Sequence, residues 1–175
     1  MFGIRLFAPR APVLAGQALF DGAVRQARSA VFYRDLAVPD TVLGRFELYT
    51  LHVVLLARRL RGRGGQLQET AQAMFDAYLL NLDIALREMG VGDLSMGKKM
   101  KKLGGAFYGR VKSWDEALGD GPATEALILR TVYDGAVETD AGPLAAYVQT
   151  AQEALAAQND TDLIEGRATW PQVDA

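Results

Sequence analysis

The stretch that decides the fold is REMGVGDLSMGKKMKKLGGAFYGRVKSWDEAL, residues 87–118. Seven apolar side chains in it recur at steps of three or four residues, a spacing that places them on one face of an amphipathic helix. They are Met96, Met100, Leu103, Phe107, Val111, Trp114 and Leu118. Asp93 follows a turn that contains Gly90 and Gly92. We therefore predict that the Asp93 side chain caps the free N–H groups of a helix that begins at Leu94.

The opposite face of this predicted helix is strongly basic. No acidic residue occurs between Asp93 and Asp115. The basic residues between them are Lys98, Lys99, Lys101, Lys102, Arg110 and Lys112. Such a face attracts anionic partners, for example ribosomal RNA phosphates or lipid headgroups. The alternative interpretation is a solvated surface that binds nothing.

Four glycines interrupt the same helix: Gly97, Gly104, Gly105 and Gly109. Each costs about 1 kcal/mol relative to alanine inside a helix, so their presence invites a reason. One interpretation is that Gly105 and Gly109 let a partner backbone or an anionic group approach the main chain closely. The other is that one helix ends at Gly104 and Gly105 and a second helix begins there.

Composition excludes several classes of chemistry. The 175 residues include no cysteine and one histidine, His52, so disulfides, thiolate catalysis and cysteine metal sites are excluded. Asp76, Asp83 and Glu88 are seven and five residues apart, a spacing that does not bring three carboxylates to one point of a helix. We therefore expect a protein that is not an enzyme and that binds no metal and no cofactor.

Neither a signal peptide nor a membrane span is predicted. Pro9 and Pro12 interrupt the apolar N-terminal residues before a signal sequence of ordinary length forms. The longest strongly apolar run, residues 51–57, is far shorter than the roughly 20 residues that cross a bilayer. We expect a cytoplasmic protein, with peripheral contact to the inner membrane as an option.

The net charge of −2 conceals an uneven distribution along the chain. Residues 1–114 contain 17 basic and 9 acidic side chains, whereas residues 115–175 contain 2 basic and 12 acidic ones. One interpretation is a directional surface whose basic side attracts anionic partners. The other is that the two halves neutralise each other in the fold.

Apolar residues also recur at helical spacing in most of the remaining chain, and no strand pattern of convincing length occurs. We predict an all-α single domain of six or seven helices, with residues 1–15 irregular, residues 16–158 helical and residues 159–175 an acidic tail. The other predicted helices span residues 16–36, 41–61, 66–89, 122–137 and 144–158. The helix at 41–61, capped by Asp40, is apolar on every side near its middle and should be the most buried one.

Three side chains of the central helices stand out against this pattern. His52 lies on the most apolar helix, where a histidine is more often a hydrogen-bonded core residue than a ligand. Leu80 and Ile84 point to the outer face of the helix at 66–89, where polar residues are expected. They either pack on another helix or contact a protein partner.

Three runs of the sequence resemble the ubiquinol–cytochrome c chaperone family. They are ELYTLHVVLLARRLR at 47–61, MFDAYLLNLDIALREMGVGDLSMGKKMKKL at 74–103 and AFYGRVKSWDEAL at 106–118. The shared motif covers His52, Arg58, Arg59, Asp76, residues 87–93, Lys98, Lys99, Lys101, Lys102 and residues 107–110. A departure is Tyr78-Leu79-Leu80-Asn81, where relatives are expected to be more acidic, so a partner contact that depends on those carboxylates is in doubt.

The resemblance implies an assembly chaperone and not an enzyme. Mitochondrial members of the family assist cytochrome b synthesis and assembly of the bc1 complex, work with a small partner protein and associate with the ribosome near its tunnel exit. This chain shows no long mitochondrial presequence, which favours the bacterial branch of the family. The implied partners are newly made cytochrome b, the ribosome, an anionic membrane surface and a small partner protein, and no DNA.

The resemblance and the residue pattern together select candidate sites. The candidate contacts with a partner or an anionic surface are Arg58, Arg59, Lys98, Lys99, Lys101, Lys102, Tyr108 and Arg110. The candidate apolar contacts with a client are Leu80 and Ile84, and the candidate structural residues of the motif are His52, Asp76, Gly90, Gly92 and Asp93. The alternative function is a peripheral membrane protein that binds anionic lipid through the same basic helix.

Overall fold

The computed structural model describes residues 10–88, 90, 92–136 and 138–173, without the side chains of Asp93, Leu94 and Leu103. Residues 1–9, Met89, Val91, Val137, Asp174 and Ala175, which the sequence predictions include, lie outside this part. Within the described residues the chain forms α-helices and no strand, so the predicted all-α single domain is confirmed. The helices are α1 (Ala11–Ala27), α2 (Ala30–Arg34), α3 (Val42–Leu60), α4 (Gly65–Glu88), α5 (Asp93–Ala117), α6 (Gly121–Thr131), α7 (Gly142–Ala157) and α8 (Asp160–Ile164).

The central helix is α3, as the sequence predicts. It packs against α1, α4, α5 and α7, and nearly all its side chains from Glu47 to Leu56 are buried. The neighbouring helices α4 and α5 pack together through aromatic rings. The centroid of the Phe107 ring lies 5.0 Å from that of Phe75 and 4.9 Å from that of Tyr78. The core is therefore one continuous apolar cluster around α3. None of the described helices is long and apolar enough to cross a membrane.

The first predicted helix, 16–36, has wrong boundaries. Helix α1 begins at Ala11, because Pro12 lies in its first turn, where a missing N–H group breaks no helical hydrogen bond. The expected irregular segment 1–15 is therefore helical from residue 11 onward. The helix also ends earlier, since Ser29 has an extended backbone (φ −56°, ψ 129°), and α2 begins after it.

The helix caps differ from the predicted ones by one residue. Thr41 and not Asp40 caps α3, with the Gly44 N–H donating to Thr41 Oγ1 at 3.0 Å, while Asp40 pairs with Arg45. Gly92 and not Asp93 occupies the cap position of α5.

The two glycines before α5 differ in what they require of the backbone. Gly90 has a φ of +82°, a left-handed value that favours glycine. Gly92 has an extended backbone (φ −72°, ψ 154°) that other residues also adopt. The predicted need for glycine therefore holds at position 90 and not at position 92.

Helix α5 continues without interruption through Gly104 and Gly105. The interpretation that one helix ends there and another begins is therefore wrong. A Cβ atom added at any of the four glycines inside α5 would meet no atom within 4 Å, so packing within the described chain does not require glycine there. The interpretation that a partner approaches the main chain at these positions stays a prediction.

The C-terminal part also differs from the predicted boundaries. Helix α6 ends at Thr131 and not near 137, because Asp134 and Gly135 have left-handed φ values of 51° and 79°. Residues 159–173, expected to form an acidic tail, pack against the body. Leu163 of α8 is fully buried, and the Trp170 ring lies 5.0 Å from the His52 ring. These apolar side chains hold the segment in place.

Gly16 marks the closest approach between α1 and α4. A Cβ atom at this position would lie 2.5 Å from the Met74 backbone nitrogen, whereas a Cβ atom at Gly22 in the same helix would meet no atom within 4 Å. We expect Gly16→Ala to lower the free energy of unfolding by about 1–3 kcal/mol through overpacking. Gly22→Ala should raise it by up to about 1 kcal/mol through helix propensity. Urea unfolding of both variants measures this, and an unchanged Gly16→Ala variant would contradict the close crossing.

Candidate interaction surface

Helix α5 separates an apolar face from a basic face, as the sequence predicts. The buried side chains are Met96, Phe107, Val111, Trp114 and Ala117, and Met100 is half-buried. Four exposed lysines lie in its first half, Lys98, Lys99, Lys101 and Lys102, which we call the lysine surface, and Lys112 is exposed in its second half. None of these four lysines forms an ion pair within the described part of the chain. Among the described residues, therefore, no carboxylate compensates their charges, and the four side chains face solvent.

Arg110, the fifth predicted cation of α5, is not part of this surface. It pairs with Glu47 of α3, with Arg110 Nε donating to Glu47 Oε2 at 3.0 Å and Arg110 Nη2 donating to Oε1. Burial opposes the charge of Arg110, but the hydrogen bond and the charge of Glu47 outweigh it and raise the Arg110 pKa. The guanidinium also lies 5.6 Å from the centroid of the Phe46 ring. The premise that Arg110 has no acidic neighbour is therefore wrong, and Arg110 connects α5 to α3.

Arg58 also forms an internal ion pair. Its Nε donates to Asp115 Oδ1 at 2.6 Å, and Arg61 binds the other oxygen of the same carboxylate. Burial alone would raise the Asp115 pKa, but the hydrogen bond from Arg61 and the charges of Arg58 and Arg61 lower it. Arg58 therefore connects the end of α3 to the end of α5.

Arg59 holds the C-terminal segment. It donates to the carbonyl oxygens of Leu155 (2.9 Å) and Gln158 (2.6 Å) and to the Asp160 carboxylate (2.7 Å). Only 7% of its side chain is exposed. The hydrogen bond from Arg59 is the main cause of a lowered Asp160 pKa. Like Arg58 and Arg110, Arg59 is engaged in the fold, so the lysine surface and Tyr108 are the predicted contacts that stay accessible.

Tyr108 is 60% exposed and stands on the wall of a groove. Its ring centroid lies 5.3 Å from that of Phe75 and 6.0 Å from that of Phe107. The groove, about 600 Å³ in volume, runs between the end of α3, the first half of α4 and the second half of α5. We call it the Tyr108 groove.

A second groove of about 710 Å³ lies between α1, α2, α3 and the second half of α4. Its apolar lining includes Val24, Phe46, Tyr49 and Leu82, and the exposed pair Val42 and Leu43 stands at its edge. We call it the Val42 groove. Sequence reasoning missed this pair, although two adjacent apolar residues in the first turn of a helix are a detectable signal.

Leu80 and Ile84 are exposed at 58% and 47%, so the predicted outward orientation is confirmed. Neither residue lines the Val42 groove, but both lie on the same half of α4. Asp76 is exposed and accepts a hydrogen bond from Gln72 Nε2 at 2.8 Å. Among the described residues no cluster of histidine and acidic side chains could hold a metal ion.

His52 is completely buried, so the prediction of a hydrogen-bonded core residue is confirmed. The Leu48 carbonyl can only accept, so His52 Nδ1 donates to it at 2.8 Å and Nε2 accepts from the Tyr147 hydroxyl at 2.8 Å. Gln26 Nε2 donates to both the Tyr147 hydroxyl (3.1 Å) and the Pro171 carbonyl (3.0 Å). Burial lowers the pKa of His52 to about 4, so the imidazole is neutral at pH 7.

The burial of His52 predicts a pH-dependent stability. The pKa is about 4 in the folded state and 6.5 in an unperturbed chain, so the unfolded state takes up a proton first as the pH falls. We expect the free energy of unfolding to fall by about 2 kcal/mol between about pH 6.5 and about pH 5. Chemical unfolding at several pH values measures the slope. His52→Gln should flatten it, and equal slopes in both proteins would contradict the assignment.

Residues 34–170 match the family model described as Ubiquinol-cytochrome C chaperone. The chain belongs to this family. The matched range includes α3, α4 and α5. It is longer than the three runs that carry the resemblance, since it continues through the C-terminal segment as far as Trp170. The resemblance inferred from the sequence is therefore confirmed.

A solved structure agrees with the family assignment. It is described as the crystal structure of the Cbp3 homolog from Brucella abortus, and it matches this member of the ubiquinol–cytochrome c chaperone family with a TM-score of 0.86. The sequence identity is 34%, over 93% of this chain and 92% of that chain. A comparison with curated proteins gives no match. Family membership indicates that this protein is a non-enzymatic assembly factor with a chaperone role in assembly of the bc1 complex.

Proposed function

We propose that this ubiquinol–cytochrome c chaperone binds apolar segments of newly made cytochrome b, on the cytoplasmic side of the inner membrane. The observation that carries the proposal is the open Val42 groove. Its volume of about 710 Å³ and its apolar lining fit the side chains of one apolar helix laid along it. A chaperone needs such a surface to shield a membrane segment from water before insertion and assembly are complete.

The exposed apolar residues at the edge of this groove and on the same half of α4 support the same proposal. Val42 is 76% exposed, and Leu43, Leu80 and Ile84 are each close to half exposed. Soluble monomers seldom expose several large apolar side chains close together unless the surface binds a partner. A client helix seated in the groove would cover Val42 and Leu43. Leu80 and Ile84, on the same half of α4, provide a further apolar contact.

The lysine surface gives the chaperone a means of finding its client. Four cations on one helix, with no ion-pair partner in the part of the chain that the structure describes, attract the anionic surface of the ribosome or of the membrane, where cytochrome b is made and inserted. In this proposal the apolar residues hold the client and the lysines determine where the chaperone works.

The same lysines favour a second candidate function, a peripheral protein whose ligand is anionic lipid itself. The two functions differ in what the apolar residues do. If the protein is a chaperone, Val42→Asp should leave salt-sensitive binding to anionic vesicles unchanged and reduce client binding several-fold. Since Val42 is exposed, the substitution should not affect folding.

Site-specific photo-cross-linking in the native host tests the proposal. A photoreactive residue at Leu43 or Ile84 should capture newly made cytochrome b, and the Val42→Asp variant should reduce this yield several-fold. The same residue at Glu125, which is exposed on α6, is the matched control and should capture none. Equal yields from Glu125 and Leu43, or no cytochrome b at either client position, would contradict the proposal.

A further inference from the structure

The last turn of α3 carries two arginines whose hydrogen-bonding capacity the fold does not use up. Arg58 Nη1 and Arg59 Nη1 are both shielded from solvent, and neither has a hydrogen-bond partner within the described part of the chain. Only 7% of the Arg59 side chain and 21% of the Arg58 side chain are exposed. A guanidinium stays ionised at neutral pH, so a buried N–H group of this kind is costly when it is unsatisfied. An ion or a water molecule within reach is a usual explanation.

The cations around this turn outnumber the carboxylates that pair with them. The cations are Arg58, Arg59, Arg61 and Arg63, and their ion-pair partners among the described residues are Asp115 and Asp160. Four positive charges therefore share two negative ones. The C-terminal end of α3 contributes about half a negative charge through the helix dipole, which offsets only part of the excess. The end of α3 is therefore a region of positive potential that attracts a further anion.

Arg58 and Arg59 line the same cavity, which lies between the end of α3 and α7. Its volume is about 150 Å³, and its other lining residues are Leu55, Gln152, Leu155 and Ala156. None of these described lining residues is acidic. Ala156 is exposed, so the cavity reaches the surface. Since a water molecule occupies about 30 Å³ in the liquid, the cavity has room for a small ion and not for a nucleotide or a chain segment.

Gln152 of α7 provides a further donor at this cavity. Its side chain is half-buried and makes no hydrogen bond with any residue that the structure describes. It can therefore rotate without breaking a contact and donate from its amide Nε2. Guanidinium groups present forked N–H pairs that match the oxygen spacing of phosphate, and these charge-assisted hydrogen bonds are the strong ones.

We propose that this cavity binds inorganic phosphate, held by Arg58, Arg59 and Gln152. Rotation of the Gln152 side chain admits the ion, and the phosphate then joins the end of α3 to α7. Arg58 also pairs with Asp115 of α5, and Arg59 also holds the C-terminal segment. The ion therefore stabilises the point at which these three parts of the chain meet. This site is independent of the proposed chaperone function and of the Val42 groove.

Isothermal titration calorimetry of the full chain with sodium phosphate at pH 7 tests the inference, at an ionic strength held constant with sodium chloride. Phosphate should bind at a single saturable site per chain. It should raise the melting temperature over the same concentration range, because a ligand that binds only the folded state stabilises it. Glycerol phosphate should bind several-fold more weakly, since the donors are buried and the cavity has no room for the glycerol group.

Gln152→Glu supplies a carboxylate that competes for the same donors. This variant should lose the phosphate-dependent rise in melting temperature and should melt above the unmodified protein in phosphate-free buffer. Gln149→Glu makes the same change at an exposed position one turn earlier in α7 and is the matched control, which should keep the phosphate response. Arg58→Lys retains the charge but removes Nη1, and should weaken phosphate binding at least about 10-fold.

Three results would overturn the inference. An equal phosphate response in Gln152→Glu and the unmodified protein would place the ion elsewhere. A melting temperature that rises with phosphate and never saturates would show only the general stabilisation by a salt that is excluded from the protein surface, with water alone at the two arginines. Equal binding of glycerol phosphate would mean that the ion does not enter the cavity. Each of these results leaves the client proposal standing, because capture of cytochrome b from position 43 does not depend on phosphate.

Discussion

Charge reversal of Lys98, Lys101 and Lys102 to glutamate together should abolish association with ribosomes or anionic membranes and impair assembly of the bc1 complex. Each lysine near an anionic surface contributes about 1 kcal/mol, so removing three predicts a loss of at least about 100-fold in affinity, and reversal adds repulsion. The melting temperature and circular dichroism should barely change. These side chains are exposed and make no ion pair among the described residues, so the fold does not depend on them.

Sedimentation with ribosomes and flotation with anionic vesicles measure this loss, at low and at high salt. Arg25→Glu/Arg130→Glu is a control, since it reverses exposed cations on α1 and α6 and should associate normally. A triple variant that still associates and supports assembly would mean that the lysine surface is only a solvated face. The functional contact would then lie at Leu80, Ile84 and the Val42 groove.

Replacing Glu47 by glutamine should destabilise the protein by about 3–4 kcal/mol. Glu47 is 7% exposed, and its removal leaves the Arg110 guanidinium partly buried without a counter-charge. Breaking a buried ion pair costs about 3–5 kcal/mol when one partner is removed, and the partial exposure of Arg110 places the expected loss at the lower end of that range. The midpoint of urea unfolding reports the change.

An exposed ion pair on α5, Lys112–Glu116, provides the comparison. Glu116→Gln removes the partner of Lys112 at the surface and should change the free energy of unfolding by less than about 1 kcal/mol. The double variant Glu47→Leu/Arg110→Leu should be more stable than Glu47→Gln, because no buried charge is left unpaired. Similar losses for Glu47→Gln and Glu116→Gln would contradict the assignment of Glu47–Arg110 as the pair that connects α3 to α5.

The predictions that hold are those that depend on local periodicity. Steps of three and four residues identified the buried face of α5, because a helix repeats its surface every few residues. Apolar residues on every side of α3 identified its central position. The burial of His52 followed from its apolar neighbours in sequence. The outward orientation of Leu80 and Ile84 followed from the helical spacing of the apolar residues around them.

The predictions that fail depend on contacts between distant parts of the chain. Arg110 looked unpaired because no acidic residue lies three or four positions from it on the helix, but its partner Glu47 is 63 residues away in sequence. Arg59 looked available for an anionic surface, whereas its partners are the Leu155 and Gln158 carbonyl oxygens and the Asp160 carboxylate, about 100 residues later. Periodicity carries no information on such pairs, so it overestimated the number of free cations.

The contacts of Arg59 and His52 with the C-terminal segment have a consequence for the order in which the molecule matures. A ribosome makes residues 26, 52 and 59 early, but the groups that satisfy them lie between Tyr147 and Pro171. Until that segment emerges, the middle of α3 is a partly made core with polar groups that lack their native partners. The chaperone is therefore itself a late-folding nascent chain, and reaches its native structure only after the residues up to Pro171 have been translated.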